Sequence, residues 1–127
     1  MNELRNCVLL VDDNVVVRHS LHKIFEQAGW EVCGEAENGL DAIEKAERLQ
    51  PQIIVLDLVM PEMNGLTAAY ILKRTMPNVR LILFTMHGPL LTADDTVSAG
   101  IDAVFSKDEP ITALLEKAQR LLTPEAA

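Results

Sequence analysis

Aromatic and basic residues are both scarce in this chain of 127 residues. Three Phe, one Trp and one Tyr make up 4% of it, and 11 Lys and Arg stand against 19 Asp and Glu, for a formal net charge of −8. This excess of negative charge disfavours free nucleic acid or an anionic membrane as a partner and suits a cation or a basic protein face. No apolar run reaches membrane-spanning length, and the start Met1-Asn2-Glu3-Leu4 lacks the pattern of a signal peptide. We therefore expect a cytoplasmic location.

Cysteine is equally limited, to Cys7 and Cys33. Both lie in apolar segments typical of strands, and cytoplasmic thiols stay reduced, so we predict core thiols rather than a disulfide. The remaining composition, 49% hydrophobic and 24% charged, is that of an ordinary folded domain without disordered or repeated tracts. We expect one domain over residues 1–122 and a frayed tail over 123–127.

Short apolar runs alternate with segments of helical periodicity along the chain. The predicted strands cover residues 7–11, 30–35, 53–57, 79–85 and 102–107. Helices are predicted after Asp13, after Asn38-Gly39, after the N-cap Asn64, and from Pro110 to Leu122, with a short mobile helix in the poorly patterned segment 86–100. Alternation of this kind predicts a parallel sheet with helices on both faces.

The stretch Ile53–Pro61 is the most informative. Four apolar residues from Ile53 to Leu56 indicate a strand buried on both faces, and Asp57 stands where the run ends. Pro61 ends the strand, and Gly65 predicts a tight turn in the loop that follows. An acid at the carboxyl end of a parallel strand lies where open α/β sheets bind their ligands.

Other predicted strands also end in polar residues, namely Asp12-Asp13, Thr85 and Lys107. Carboxylates brought within ~4 Å repel by roughly 4 kcal/mol at an effective dielectric near 20, so such a cluster binds a proton or a cation. Carboxylate oxygens and waters suit Mg²⁺. A lysine and a hydroxyl suit phosphoryl oxygens, and Asp57 could then act as a nucleophile that forms an acyl phosphate.

Four segments together resemble the receiver domain of bacterial two-component response regulators: Val8–Asp13, Asp57–Leu66, Phe84-Thr85 and Phe105-Ser106-Lys107. The similarity covers nearly the whole chain and is greatest to NarL/LuxR-type regulators, through Met-Pro-x-Met-Asn-Gly-Leu and the Lys-Asp pair after the last strand. This resemblance implies a flavodoxin-like, doubly wound, five-stranded parallel sheet of order 2-1-3-4-5 with five helices.

The resemblance also implies roles for the residues. Asp57 accepts a phosphoryl group from a phosphohistidine of a sensor histidine kinase, Lys107 contacts that group, and Thr85 moves toward it. Mg²⁺ is held by Asp12, Asp13, Asp57 and the backbone carbonyl of Val59, with Asp13 the more direct ligand. Water then removes the phosphoryl group within the same site, so the expected domain is a self-catalysed switch rather than a turnover enzyme.

The chain departs from the family pattern in several places. Val104 stands where an aromatic usually couples to the threonine, and strand alternation sends the neighbouring Phe105 to the opposite face. His87 and Val59 occupy the rim positions that tend to set the lifetime of the phosphoryl group. The family's usual DNA-binding domain does not occur within these 127 residues, so we expect the output to be an unknown downstream protein or a missing C-terminal domain. A weak homodimer through the last helices stays open.

Three other functions compete with the switch. An aspartyl-phosphate phosphohydrolase would need a second acid two residues after Asp57, where this chain has Val59. A flavodoxin-like cofactor binder would place phosphate beside Asp12-Asp13-Asn14, which repels it. A phosphorylation-independent adaptor of the same fold is kept open by Val104.

Overall fold

The computed structural model describes residues 7–85 and 93–122. Five strands and five helices alternate within these residues, as predicted. They are β1 (Cys7–Val11), α1 (Val15–Gln27), β2 (Glu31–Ala36), α2 (Gly39–Leu49), β3 (Ile53–Asp57), α3 (Gly65–Thr75), β4 (Arg80–Thr85), α4 (Ala93–Ala99), β5 (Ala103–Ser106) and α5 (Ile111–Leu122). None of the described helices combines the length and the apolar character that crossing a bilayer requires.

The five strands form one parallel sheet of order β2-β1-β3-β4-β5, which confirms the predicted fold. β1 and β3 are therefore neighbours, although α1, β2 and α2 separate them along the chain. Because parallel strands end at the same edge, the residues that follow β1 and β3 lie side by side. This adjacency places the acids after β1 next to Asp57.

Both faces of the sheet are covered, which explains the unbroken apolar runs of the central strands. One apolar cluster joins the sheet to α2, α3 and α4, and its strand residues are Leu9, Val11, Ala36, Ile54, Leu56, Leu81 and Leu83. The other joins the opposite face to α1 and α5, with Val8, Leu10, Ile53, Val55, Ile82, Phe84 and Phe105. Every residue of β1 and β3 is buried, as expected for strands in the middle of a two-sided sheet.

Asparagine caps begin two of the helices that flank the acidic edge. The side chain of Asn14 accepts from the backbone N–H groups of Val16 and Val17 at the start of α1, at 2.9 and 3.1 Å. Asn64 accepts from Thr67 N–H at 2.9 Å and begins α3, as predicted. Each cap satisfies an N–H that the helix leaves without a partner and fixes the loop that follows its strand.

Gly65 is required for a different reason from the predicted tight turn. Its φ does not lie in the left-handed region, which Glu62 adopts in the same loop with φ 69°. A Cβ on Gly65 would instead lie 2.3 Å from the backbone oxygen of Asp57. The N–H of Gly65 donates to the Leu58 carbonyl at 2.8 Å, so α3 begins directly against the end of β3.

We expect Gly65→Ala to destabilise the domain by about 2 kcal/mol, because the new methyl group must displace the backbone at Asp57. Urea denaturation followed by circular dichroism measures the loss. Thr67→Ala is the matched control, since Thr67 is exposed on the same turn of α3 and the change adds no atom near Asp57. Equal stability of Gly65→Ala and the control would contradict the close approach.

The two cysteines differ from the prediction. Cys7 and Cys33 form a disulfide with their Cα atoms 5.7 Å apart. β1 and β2 are adjacent, and the register of their pairing shifts between Val8 and Leu9, so that Cys33 is the extra residue on β2. The prediction of reduced thiols was wrong because it rested on the cellular compartment, whereas strand adjacency and this shift decide whether two sulfurs meet.

Part of the predicted segment 86–100 is described, and it contains the short helix α4. The mobility predicted for that helix stays a prediction. His87 and the tail 123–127 lie outside the described residues.

Candidate functional site

Three predicted acids meet at the carboxyl edge of the sheet. Asp12 is 1% exposed, Asp57 is 6% exposed, and Asp13 lies at the surface. One carboxylate oxygen from each of the three lies within 4.8 Å of the others. The N–H of Asn14 donates to Asp12 Oδ1 at 2.9 Å and so fixes the rotamer of that acid. The result is an acidic cluster, called the acidic pocket below, with two buried carboxylates and one accessible carboxylate.

Lys107 supplies the positive charge that faces the buried acids. Its Nζ lies 3.0 Å from Asp12 Oδ2 and 3.4 Å from Asp57 Oδ1. The backbone N–H of Lys107 donates to the Thr85 carbonyl at 2.9 Å, which anchors the residue just after β5. One ammonium group thus bridges two carboxylates and offsets part of their repulsion.

The single ammonium does not offset the whole cost of burying two acids. Burial raises the pKa of Asp57, the charge of Asp12 raises it further, and the nearby Lys107 lowers it, with a net result of about 6 against an ordinary 3.8. A carboxyl group with this pKa lies in a pocket that is short of positive charge. Binding of a cation there would favour the ionised form of Asp57.

Two further predicted site residues, Thr85 and Val59, lie at the end of β4 and in the loop after β3. Thr85 is fully buried at the end of β4, one residue beyond Phe84, which pairs with Asp57 across the sheet. Val59 lies in the loop after β3 with 59% of its surface exposed. The backbone carbonyl of Val59, the fourth predicted Mg²⁺ ligand, is therefore in the loop that directly follows Asp57.

The aromatic residue of β5 lies on the face predicted for it. Phe105 is buried in the cluster with α1 and α5 and stacks on Phe84 with ring centroids 5.5 Å apart. Val104 is partly buried and packs on the other cluster, with α2, α3 and α4. The aromatic side chain is thus on the opposite side of the sheet from the position that Val104 occupies, which confirms the predicted alternation.

Arg18 is a functional candidate that was not predicted from the sequence. Its Nη1 donates to the backbone carbonyl of Asp12 at 2.8 Å, and its Nε donates to Glu35 Oε1 at 3.0 Å. Glu35 also contacts His22 Nδ1 through Oε2 at 2.6 Å. The first turn of α1 is thereby connected to both the acidic loop and strand β2. The only sequence signal was an arginine one helical turn after the cap Asn14.

His22 carries the pH sensitivity of this network. The hydrogen bond with Glu35 raises the pKa of His22 above 6.5, and Glu26 raises it further, while burial acts in the opposite direction. A histidine with a raised pKa contributes stability that is fully present below pH 6.5 and is lost as the pH rises through the raised value. Both ring nitrogens of His22 have acidic partners, since Nε2 contacts Glu26 and Nδ1 contacts Glu35.

We expect the proton NMR titration of the His22 ring to give a pKa above 6.5 that falls in Glu35→Gln, because the larger part of the shift comes from Glu35. Glu26→Gln is the matched control and should lower the pKa less, since the Glu26 side chain is 59% exposed. A titration that Glu35→Gln leaves unchanged would mean that this ion pair does not form in solution.

The donor set fits a hard divalent cation. Three carboxylates offer oxygen atoms close together, with one of them open to water, and this is the arrangement in which Mg²⁺ keeps several of its waters. No other group of three such side chains occurs in the described part of the chain. The residues present therefore support a magnesium site rather than a zinc site, whose ligand sets usually include His or Cys.

Comparison with known proteins decides the family. The sequence model of the response regulator receiver domain matches residues 8–119. The chain belongs to this family. It is 40% identical over 93 residues to the chemotaxis protein CheY of Thermotoga maritima, a match that covers 73% of this chain and 78% of that protein.

Solved receiver structures superpose closely on this receiver domain. A LuxR-family response regulator from Aurantimonas gives a TM-score of 0.87 at 26% identity, over 94% of this chain and 86% of the other. TrrA of Thermotoga maritima in complex with Mg²⁺ and BeF gives 0.85 at 26% identity, over 94% and 100% of the two chains. Because chemotaxis proteins and LuxR-family regulators both match, the predicted similarity to NarL/LuxR-type regulators is only partly specific.

Curated relatives differ widely in length. This receiver domain spans 96% of Bacillus subtilis CheY but 34% of a protein-glutamate methylesterase from Archaeoglobus fulgidus. Receiver domains of this family therefore occur both in short proteins and within longer ones.

Proposed function

We propose that this receiver domain is a phosphoacceptor switch in which Asp57 takes a phosphoryl group from the phosphohistidine of a sensor histidine kinase. The observation that carries the proposal is the position of Asp57, buried at the end of β3 between Asp12 and Lys107. Its raised pKa reflects a pocket in which one further positive centre is favourable. Mg²⁺ bound beside Asp57 would supply that positive centre and would offset the charge of the incoming phosphoryl group.

The chemistry follows from the geometry of the acids. A carboxylate oxygen of Asp57 attacks the phosphorus, the bond from phosphorus to the imidazole nitrogen breaks, and the released imidazole takes up a proton. Lys107 Nζ lies 3.4 Å from Asp57 Oδ1 and can therefore donate to a phosphoryl oxygen on that acid. The reverse loss, by attack of water on phosphorus, uses the same residues.

The proposed Mg²⁺ ligands are Asp12, Asp13, Asp57 and the backbone carbonyl of Val59. When bound, Mg²⁺ supplies positive charge beside the phosphoryl oxygens and lowers the repulsion between the acids. Asp13 is the accessible member of the set and the more direct ligand. Asp12 is held by Lys107 and, through its carbonyl, by Arg18, so its role includes positioning the loop.

Phosphorylation then shifts a two-state equilibrium that partner proteins read through β5 and its flanking helices. Thr85 moves toward the phosphoryl group. Val104 lacks an aromatic ring that could follow that movement, so the coupling differs from that of receivers with an aromatic residue there. We place the domain over residues 1–122, in the cytoplasm, with Val59 and His87 tuning the phosphoryl lifetime.

The downstream partner is either a separate protein or a further domain such as a DNA-binding one. The net charge of −8 makes nucleic acid an unfavourable ligand for the receiver domain itself. Phosphorylation in this scheme is stoichiometric and self-catalysed, without turnover of an external substrate.

The proposal is tested by incubating the protein with acetyl phosphate and Mg²⁺ and measuring its molecular mass by intact-mass spectrometry. The expected product carries one phosphoryl group, is cleaved by hydroxylamine as an acyl phosphate, and does not form in EDTA. Absence of this product with acetyl phosphate and with a phosphorylated histidine kinase would overturn the proposal.

A second candidate, a phosphorylation-independent adaptor, is favoured by one observation, the aliphatic side chain of Val104 in the switch position. Partner binding measured with and without beryllium fluoride and Mg²⁺ separates the two functions. Equal affinity in both conditions would support the adaptor, and a changed affinity would support the switch.

A further inference from the structure

We propose that Cys7 and Cys33 form a reversible thiol–disulfide site that exchanges with a small disulfide such as glutathione disulfide, with Cys33 as the reacting sulfur. The site is independent of the proposed phosphoacceptor function. It lies at the start of β1 and within β2, at the amino side of the sheet. An excess of a reduced thiol would open the bridge that the structure contains, and a small disulfide would close it again.

The backbone brings the two cysteines together without any rearrangement of the chain. β1 and β2 pair in parallel, and their Cα atoms at Cys7 and Cys33 are 5.7 Å apart, within the usual range for a bridge. The pairing register skips Cys33, since Val8 pairs with Val32 and Leu9 with Gly34. A residue at such a bulge is free of a direct partner across the ladder and can turn its side chain toward the start of the neighbouring strand.

The two cysteine residues differ in exposure, and we take this difference to set the order of the reaction. Cys7 is 2% exposed, whereas Cys33 is partly exposed on β2, the edge strand of the sheet. Exchange requires a thiolate that an incoming disulfide can reach. Cys33 meets that condition in the folded protein, and Cys7 does not.

The exchange proceeds in two balanced steps. The thiolate of Cys33 attacks one sulfur of glutathione disulfide, forms a mixed disulfide and releases one glutathione thiolate. The Cys7 thiolate then attacks the sulfur of Cys33 and releases the second glutathione. Two protein thiols are oxidised to one disulfide, glutathione disulfide is reduced to two glutathione molecules, and the two released thiolates take up the protons lost by the cysteines.

The Cys7–Cys33 disulfide links the edge strand β2 covalently to its neighbour β1. The cysteines are 26 residues apart, and the loop between them contains the whole of α1. A crosslink over a loop of this length restricts the unfolded chain, and we expect the melting temperature to rise by about 10 °C on oxidation. Glu35 lies on β2 two residues after Cys33 and binds Arg18, which in turn donates to the carbonyl of Asp12. The strand that the disulfide links is therefore also connected to the loop that carries the acids.

The test uses single variants of the native, reduced protein with glutathione disulfide as the probe. In Cys7→Ala, Cys33 should accumulate as a mixed disulfide that carries one glutathione, because the resolving thiol is gone. In Cys33→Ala, Cys7 should stay unmodified while the protein is folded and react once it is unfolded in urea. Equal modification of the two variants, or modification of neither, would overturn the assignment of Cys33 as the reacting sulfur.

The wild-type protein provides the second measurement. Glutathione disulfide should remove two hydrogens without adding glutathione, raise the melting temperature, and leave a monomer on non-reducing gels, and dithiothreitol should reverse all three changes. Cys7→Ala/Cys33→Ala should have a melting temperature that neither reagent moves. Crosslinking between two chains, or an oxidised wild type that melts at the same temperature as the reduced one, would overturn the proposal.

Discussion

Asp57→Asn is expected to abolish phosphoryl incorporation from acetyl phosphate and from a phosphorylated histidine kinase. The amide nitrogen and oxygen keep the shape of the side chain but remove the nucleophilic carboxylate, and the two other acids of the cluster differ from Asp57 in their surroundings. Lys107 binds Asp12, and Asp13 points to the surface. Intact-mass spectrometry after a saturating dose should find less than about a hundredth of the wild-type label, as loss of a covalent nucleophile predicts.

Glu47→Gln is the matched control for this prediction, because it removes one negative charge from an exposed position on α2 outside the acidic pocket. It should be labelled like the wild type. Hydroxylamine-labile label that persists in Asp57→Asn would assign the acceptor role to Asp12 or Asp13 instead. Peptide mapping of the labelled product would then show which of the two carries it.

The same substitution is expected to stabilise the metal-free protein at neutral and higher pH. The pKa of Asp57 is about 6 in the folded protein against 3.8 ordinarily, so the folded state holds the proton more tightly. Stability from this group is fully present below pH 3.8 and is lost as the pH rises through about 6. Ionised Asp57 therefore costs about 3 kcal/mol at about pH 8, which Asp57→Asn removes, with a rise in melting temperature of about 10 °C.

Urea denaturation in EDTA at about pH 8 and about pH 4 separates this effect from a general change in packing. The gain should be large at the higher pH and small at the lower one, where the wild-type carboxyl group is protonated. Saturating Mg²⁺ should narrow the difference, because it stabilises only the protein that keeps the acid. A gain that is independent of pH would contradict charge repulsion as its source.

Much of the fold and of the acidic pocket could be predicted because each depends on local patterns. Unbroken apolar runs at Val8–Val11 and Ile53–Leu56 indicate strands covered on both faces, and the acids that end them meet once the strands are parallel neighbours. The strand order itself came from the resemblance, since periodicity alone does not tell which strands pair. The opposite faces of Val104 and Phe105 followed from the two-residue repeat of a strand.

What could not be predicted depends on distances between segments remote in sequence. The register shift that places Cys33 beside Cys7 has no local signature, and the compartment argument pointed the other way. The need for glycine at position 65 resembled a turn requirement, but it comes from the close approach of Asp57, whose backbone oxygen would lie 2.3 Å from a Cβ at that position. The role of Arg18 depends on Glu35 lying opposite α1, which only the packed structure places there.

The bridge from Lys107 to Asp12 has a consequence for how the protein is made. These residues are 95 positions apart, and β3 and β4 lie between β1 and β5 in the sheet. Contacts of such long range form after local structure, because they require the intervening chain to be ordered first. When β1 to β4 have been synthesised, all three acids of the cluster have left the ribosome but Lys107 has not. In newly synthesised chains the ammonium group should therefore offset part of the repulsion between the acids only after the last strand has left the ribosome and docked.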